Sequence, residues 1–320
     1  MRLVCLLASL LLALPLPAKE IKVAVMPKLV GIDYFRACEK GVREAAEELG
    51  VSLEYDGPDS PDVSRQTALI ETWIARRFDV IAVAAVDPDA IAPALRKARQ
   101  RGIKVVTWDA DSAEESRDFF VNQADNDAVA KTLMDIMAKG IGTDGKYLIL
   151  TGPLTAHNQN MWMAAMEKYR QATYPNLKNL SEVPKATAED QALATQVTMD
   201  SLKSYPDLQG IFALTSVALP GAAEGLRKAQ ASGKVFLTGL STPNSMRPYI
   251  KDGTVKQMVL WNPVDLGYLT VHAGVRLVRE GISGAEFEAG RLGRVKVRGT
   301  EILLGDPKVF DAANIDEFDF

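Results

Sequence analysis

Histidine and cysteine are both scarce in this sequence, with two of each among 320 residues. Imidazole and thiolate are common zinc ligands and common groups of nucleophilic catalysis, so their scarcity argues against both kinds of site. Cys5 lies in the N-terminal apolar segment, and Cys38 lies on the apolar stripe of a predicted helix. We therefore expect Cys38 to be a buried core residue, and we expect no catalytic residues, no metal site and no internal disulfide.

A surplus of basic residues is also missing. The sequence has 37 lysines and arginines against 41 aspartates and glutamates, a net charge of −4, without a block of like charge. Proteins that bind DNA or RNA need a basic face, so no nucleic-acid partner is expected. Gly140 to Gly145 match G-x-G-x-x-G, but this pattern follows a predicted helix and precedes a strand, the reverse of a dinucleotide site. No cofactor is therefore predicted.

Long apolar runs are limited to residues 3–16, which follow Arg2 and precede Pro17 and Ala18. A basic start, an apolar stretch of about 7–15 residues and a small final residue are typical of a secretory signal peptide. The run is shorter than the ~20 residues of a membrane-spanning helix, although an uncleaved anchor is an alternative. We expect residues 1–18 to be a signal peptide and the mature protein to be a soluble periplasmic monomer.

Short apolar runs alternate with amphipathic helical patterns along the rest of the sequence. This alternation predicts parallel sheets with helices on both faces, and 320 residues are enough for two domains. The predicted fold class is α/β, with two doubly wound parallel-sheet lobes. The predicted strands are residues 21–26, 51–55, 80–86, 104–108, 146–151, 208–214, 235–240 and 255–260.

Polar and aromatic side chains follow most of these strands, at the sheet edge where ligands bind. Carboxylates and amides can each hold a pair of hydroxyl groups, and an aromatic ring can cover the C–H face of a sugar. The pattern favours a site for a small uncharged polyol, although such residues also cap helices, and Trp162 equally fits core packing. The candidate ligand-binding residues are Lys28, Tyr34, Phe35, Asp109, Asp111, Asn158, Gln159, Thr215, Ser216, Ser241, Trp261 and Asn262.

Three segments of the first half are distinctive: residues 27–31 (PKLVG) with Tyr34 and Phe35, residues 87–89 (DPD), and residues 101–105 (RGIKV) with Trp108 and Asp109. With the order of elements and the N-terminal segment, they resemble the ribose-type (class B) periplasmic sugar-binding proteins of ABC importers. The resemblance covers essentially the whole mature chain. It implies a type I periplasmic binding protein fold, a ligand released unaltered, and an ABC transporter permease as the partner.

Such a fold implies two lobes joined by a multi-strand hinge. We expect an N-terminal lobe of residues 19–124 plus 262–290 and a C-terminal lobe of residues 125–261 plus 291–320. The chain is expected to cross between them near residues 122–125, 240–245 and 260–263. By the same resemblance, Phe35 covers one ring face, Asp109 accepts two hydroxyl hydrogens and Trp261 stands at the hinge. Lys28 either contacts the ligand or pairs with Asp109 or Asp111.

Two branches of this family are the most similar. Residues 27–31, 55–58 (YDGP) and 241–249 (STPNSMRPY) resemble the autoinducer-2 receptors, whereas residues 158–162 (NQNMW), 261–268 (WNPVDLGY) and 289–297 (AGRLGRVKV) resemble the rhamnose-binding proteins. Lys28, Asp109 and Gln159 match the autoinducer-2 site. Asn158, Leu214 and Ser216 replace its aspartate, proline and alanine. An amide adds donors and removes a charge, so it satisfies a different hydroxyl pattern.

We therefore expect a periplasmic solute-binding protein that captures L-rhamnose or a related monosaccharide and delivers it to the permease. The alternatives are an autoinducer-2 receptor and a chemosensory sugar-binding protein. An enzyme is disfavoured because no nucleophile and base pair is evident. A transcription regulator with the same core would need a helix-turn-helix segment ahead of the first strand.

Overall fold

The structure is a computed structural model and describes residues 19–320. The predicted signal peptide, residues 1–18, lies outside the described residues. The described chain forms two α/β lobes, each a largely parallel sheet with helices packed against it. This arrangement confirms the predicted fold class. None of the helices in residues 19–320 is both long and apolar enough to cross a membrane.

The first lobe begins with strands and helices that alternate as far as its fourth strand, after which the fifth strand follows without an α-helix between them. These are β1 (Lys22–Met26), α1 (Asp33–Leu49), β2 (Ser52–Tyr55), α2 (Val63–Ala75), β3 (Val80–Val83), α3 (Pro88–Gln100), β4 (Lys104–Trp108) and β5 (Phe119–Asn122). The five strands are parallel, in the spatial order β2-β1-β3-β4-β5. Strand β3 is wholly buried, as expected of a strand covered on both faces. Since β1 and β4 flank it, the segments that follow them, with Lys28 and Asp109, meet at one edge.

The second lobe repeats the alternation. Its elements are α4 (Asn126–Ile141), β6 (Lys146–Thr151), α5 (His157–Thr173), β7 (Lys178–Asn179), β8 (Lys185–Ala186), α6 (Gln191–Ser204), β9 (Gly210–Ala213), α7 (Ala218–Lys228), β10 (Phe236–Gly239), α8 (Pro243–Lys251) and β11 (Gln257–Leu260). Strands β10, β9, β6 and β7 form a parallel sheet in that order, and β8 also pairs with β6. The ends of β6 and β9 lead into the segments that carry Asn158 and Thr215.

The end of the chain returns mostly to the first lobe. It comprises α9 (Pro263–Arg279), β12 (Glu286–Glu288), β13 (Arg294–Arg298), β14 (Glu301–Leu303) and β15 (Lys308–Asp311). Strand β14 pairs in parallel with β5, and β13 and β12 extend the same sheet. Only β15 pairs with β11 of the second lobe. The prediction that residues 291–320 belong to the second lobe is therefore wrong for residues 291–303, because β14 satisfies the open backbone edge of β5.

Within residues 19–320, three segments join the lobes: residues 123–125, 261–262 and 304–307. The predicted crossing near residues 240–245 is wrong, since α8 packs against α7 and stays in the second lobe. Ser245 contacts the first lobe by its side chain alone, since its hydroxyl donates to Asp33 Oδ2 at 3.0 Å. The third crossing instead follows β14. Three connections of this kind favour a hinge motion of the two lobes.

Helices α1 and α9 approach each other backbone to backbone. A Cβ atom at Gly41 would collide with the carbonyl oxygen of Val264, and one at Gly267 would collide with the carbonyl oxygen of Cys38. Glycine at both positions is what permits the contact. Cys38 is fully buried there, as predicted. The contact ties α9, and the Trp261 segment just before it, to the first lobe.

Candidate ligand-binding site

A cavity that is partly open to solvent lies between the two lobes at the carboxyl ends of both sheets; with the open solvent at its mouth included, the empty space is about 420 Å³. The first lobe contributes Lys28, Leu29, Ile32, Tyr34, Phe35 and Asp109 to its lining. The second lobe and the hinge contribute Asn158, Gln159, Trp162, Glu189, Leu214, Thr215, Ser216, Leu240, Leu260 and Trp261. Nine of the twelve predicted site residues thus meet around one space.

Asp109 is the carboxylate that the first lobe presents to the cavity. It follows β4 directly and has a φ of +61°, in the left-handed region that residues other than glycine seldom adopt. The Ala110 amide donates to the Trp108 carbonyl at 2.6 Å and closes a tight turn around Asp109. The residue is only 3% exposed. An unfavourable backbone conformation that holds a buried carboxylate in a cleft indicates a functional position.

Tyr34 connects Asp109 to the hinge. Its hydroxyl donates to Asp109 Oδ1 at 2.8 Å and accepts from Trp261 Nε1, also at 2.8 Å. Burial and the neighbouring Asp109 carboxylate raise the pKa of Tyr34 well above its ordinary value. The phenol therefore stays protonated and keeps one carboxylate oxygen of Asp109 occupied. Oxygen Oδ2 of Asp109 faces Lys28.

Lys28 is a buried ammonium group that contacts both lobes. Its Nζ donates to Asn158 Oδ1 at 2.9 Å, across the cavity, and lies 3.5 Å from Asp109 Oδ2. The pairing of Lys28 with Asp109 that we considered is therefore present, whereas Asp111 pairs with Arg117 instead. Since Lys28 also lines the cavity, the same ammonium is available to a bound ligand.

Two adjacent amides at the start of α5 form the opposite wall. Asn158 Oδ1 accepts from Lys28 and from the Gln159 amide nitrogen, which leaves its amide nitrogen as a donor. Gln159 Oε1 accepts from the Thr151 hydroxyl at 2.5 Å and from the Gly152 amide at 2.7 Å. Gln159 Nε2 donates to Glu189 Oε1 at 3.1 Å. These bonds fix the glutamine side chain to the end of β6, so it is preorganised at the cavity.

Thr215 and Ser216 lie between β9 and α7. The Thr215 hydroxyl accepts from the Ala218 amide at 3.0 Å and so caps the first turn of α7, while the residue still lines the cavity. The Ser216 carbonyl accepts from the Ser241 hydroxyl at 2.6 Å, and Ser216 itself is half-buried at the cavity wall. Hydroxyl groups from this loop therefore add to the polar lining.

Aromatic rings form the apolar walls. Phe35 packs edge-on against Tyr34 and Trp108, with ring centroids 5.1 and 5.7 Å apart. Trp162 and Trp261 lie 5.7 Å apart at a tilt of 51°, and the buried Trp162 Nε1 has no hydrogen-bond partner among the described residues. Buried donors are normally satisfied. A hydrogen-bond acceptor in the cavity would supply the missing partner.

Three predicted site residues do not line the cavity. Asp111 is held by Arg117, whose Nε and Nη2 donate to its two carboxylate oxygens at 2.7 and 2.8 Å. The Ser241 hydroxyl is used on the Ser216 carbonyl, and Asn262 caps α9 by accepting from the amides of Val264 and Asp265. These side chains stabilise the walls rather than face the space, so we leave all three out of the proposed ligand-binding set.

Glu189 lines the cavity and was not predicted. It follows the two-residue strand β8, with Thr187 and Ala188 between them, and both Ala188 and Glu189 have positive φ values, 51° and 57°. Burial raises the pKa of the Glu189 carboxyl, and the Lys28 ammonium and hydrogen bonds from Gln159 and Thr215 oppose this rise. A strand of two residues gives no apolar run in the sequence, and no glycine marks the left-handed turn.

The cavity lining is rich in hydrogen-bonding groups. Its lining offers one ammonium, two carboxylates, two amides and two hydroxyls in addition to the tyrosine, all within walls of aromatic and aliphatic groups. Such groups match alternating donors and acceptors on a small polar molecule. The lining holds no cysteine or histidine.

Comparisons with known proteins agree with this reading of the cavity. A family model described as a periplasmic binding protein domain matches residues 23–282. A solute-binding protein of an ABC transporter from Clostridium phytofermentas, solved with bound L-rhamnose, is 33% identical, with 94% of this chain and 98% of that chain covered and a TM-score of 0.88.

Two further relatives are more distant. LsrB from Clostridium saccharobutylicum, solved in complex with AI-2, has a TM-score of 0.89 at 24% identity, with 94% of this chain and all (100%) of that chain covered, a likeness of fold. The D-ribose/D-allose-binding protein of Pseudomonas aeruginosa is 25% identical over 243 residues, which are 73% of this chain and 75% of the relative. These proteins are binding proteins, which confirms the prediction of a binding protein rather than an enzyme. The chain belongs to the periplasmic binding protein family.

Proposed function

We propose that this protein is a periplasmic solute-binding protein of an ABC importer that captures a small polyhydroxylated ligand, L-rhamnose or a related monosaccharide, between its lobes. The observation that carries the proposal is the face-to-face placement of Asp109 and the Asn158–Gln159 pair across one aromatic-walled cavity. Carboxylate and amide groups can each grip neighbouring hydroxyls, and the rings can cover apolar C–H faces. No group on the ligand is changed.

The hinge connects binding to delivery. Ligand contacts from both lobes favour the closed arrangement over the open one, because only the closed lobes contact the ligand from both sides. The closed protein then presents a joint surface of the two lobes to the permease, and opening there releases the ligand. The same proposal includes export from the cytoplasm, directed by a signal peptide at residues 1–18, and action as a monomer.

Rhamnose is favoured over autoinducer-2 by the amide at position 158. Asn158 is polarised by Lys28, whose Nζ donates to its oxygen, so its amide nitrogen remains a donor at the cavity. A carboxylate there would instead accept hydroxyl hydrogens on both oxygens. The relative solved with L-rhamnose is also 33% identical, against 24% for the one in complex with AI-2. Lys28 and Asp109 keep autoinducer-2 as the second candidate.

The site is tested with Asp109→Ala. Ligand at 100 times Kd stabilises a binding protein by about 2.7 kcal/mol, and we expect Asp109→Ala to lose this stabilisation while it remains folded. The measurement is the unfolding temperature with and without a panel of monosaccharides. Asp59→Ala, at an exposed aspartate of the first lobe, is the control. A ligand-induced rise equal to that of the wild type in Asp109→Ala would place the site elsewhere.

Ligand choice is tested with Asn158→Asp. We expect the ratio of the two affinities to move toward autoinducer-2, by roughly tenfold, because one hydrogen bond to a charged group is gained or lost. Paired calorimetric titrations with L-rhamnose and borate-free autoinducer-2 give the ratio. Asn160→Asp adds the same charge at an exposed position of α5 and serves as the control. A ratio unchanged from the wild type would remove the reason for favouring rhamnose.

A further inference from the structure

Glu189 is held at the cavity by a turn that is anchored on both sides. Before it, the Thr187 amide and hydroxyl both donate to the Thr151 carbonyl, at 2.7 and 2.8 Å. After it, Asp190 caps α6 by accepting from the Leu193 amide at 2.9 Å. Between these anchors, Ala188 and Glu189 adopt left-handed conformations. Two such residues in succession are unfavourable for the fold alone, so the turn indicates a role for the side chain that it presents.

The neighbours of Glu189 leave room for it and use only part of its bonding capacity. A Cβ atom at Gly152 would collide with Glu189 Oε1, so glycine at the end of β6 gives the carboxylate its place. Oxygen Oε1 accepts from Gln159 Nε2 at 3.1 Å, and the Thr215 hydroxyl also donates to the carboxylate. Burial raises the pKa of this carboxyl, which means that the charge lacks part of the stabilisation that water would give. Hydroxyl hydrogens of a bound ligand would provide the missing stabilisation of the carboxylate.

The charges of the cavity are unequal in number. Its lining contains one ammonium, Lys28, and two carboxylates, Asp109 and Glu189. Lys28 lies 3.5 Å from Asp109 and donates to Asn158, so the first carboxylate is paired. Lys28 also favours the charged form of Glu189, but one ammonium cannot neutralise two carboxylates, so the cavity keeps a surplus negative charge. A second negative charge brought into this partly desolvated space by a ligand would be repelled.

We propose that Glu189 is a ligand-contacting residue that accepts hydroxyl hydrogens from the bound sugar and excludes acidic sugars from the cavity. The proposal rests on the proposed function, since it concerns the same cavity, and it names the selectivity of that cavity: neutral polyols over sugar acids of the same size. Glu189→Gln removes the charge at constant shape, which separates the electrostatic role from a steric one.

The experiment compares wild type, Glu189→Gln and Glu182→Gln, whose exposed glutamate lies on the connection that leads to the same turn. Calorimetric titrations with L-rhamnose and with D-galacturonate give the ratio of the two affinities for each protein. We expect Glu189→Gln to bind L-rhamnose about tenfold more weakly and to shift the ratio toward D-galacturonate by at least about tenfold. Glu182→Gln should match the wild type.

Ligand-free unfolding separates binding from structure. Because Glu189 carries a charge that is incompletely stabilised, Glu189→Gln should unfold at a temperature equal to or above that of the wild type. An unchanged affinity ratio overturns the proposal, and so does a lower unfolding temperature with equal loss of all sugars. If Glu189→Gln fails to fold, Glu189→Asp decides: weaker rhamnose binding at an unchanged ratio supports the proposal, and unchanged binding overturns it. A wild type that binds no sugar of the panel overturns the proposed function, and this proposal with it.

Discussion

Tyr34 offers the most direct test of how the two lobes communicate. Tyr34→Phe keeps the ring and removes two hydrogen bonds of 2.8 Å, one to Asp109 and one from Trp261. The indole nitrogen of Trp261 then loses its partner, which costs about 1–3 kcal/mol for a buried donor, and the bond to the Asp109 carboxylate is worth about 1.5–3 kcal/mol. Allowing for water that enters from the cavity, we expect the free energy of unfolding to fall by roughly 2–4 kcal/mol.

Urea unfolding of the ligand-free protein measures this loss, and calorimetric titration measures the ligand affinity of the same variant. We expect affinity to fall as well, because Asp109 and Trp261 are both left free to move. Tyr249→Phe, at a half-buried tyrosine of the second lobe outside the cavity lining, is the matched control. A Tyr34→Phe protein as stable as the Tyr249→Phe control would refute the connection through the Tyr34 hydroxyl.

Two further predictions concern stability. Asp111→Asn should lower the free energy of unfolding by about 3–5 kcal/mol in urea titrations, because it leaves the buried Arg117 guanidinium without its paired charge. The ligand Kd should stay at the wild-type value. A changed Kd with unchanged stability would return Asp111 to the ligand site. Burial lowers the pKa of His272 in the folded protein, so the unfolded chain binds this proton first and stability is lost as the pH falls below about 6.5. The stability difference between about pH 7.5 and pH 5.5 should therefore be smaller in His272→Gln than in the wild type, and an equal difference would contradict the assignment.

The order of strands and helices could be predicted from the sequence because its signals are local. Apolar runs such as residues 21–26 and 104–108 correspond to β1 and β4 within a residue. Strands β12 to β14 could not be assigned to a lobe in this way. Their partner is β5, far earlier in the chain, and the register that joins Ile302 to Val121 depends on an open sheet edge rather than on any local pattern.

The site was predictable to the extent that it follows strands. Ligands bind beyond the carboxyl ends of parallel strands, and this rule predicted that Lys28, Asp109 and Gln159 lie at one cleft. Position after a strand does not, however, determine where a side chain points. Asn262 carried a readable signal of its role, since an asparagine just before a proline at a helix start is typical of an N-cap. Glu189 carried none, because its position depends on a left-handed turn between two anchored residues.

The discontinuity of the first lobe has a consequence for its assembly. The chain is made from its N terminus, yet α9, which packs along α1 and against β3 and β4, and β14, which closes the edge of β5, lie near its end. Until almost all of the chain has been synthesised, the earliest strands have an apolar face uncovered and an edge unpaired. Folding of the N-terminal half therefore cannot be completed before α9 and β14 are present. A truncation that ends ahead of α9 should destabilise the first lobe, although most of that lobe lies far from the truncation in sequence.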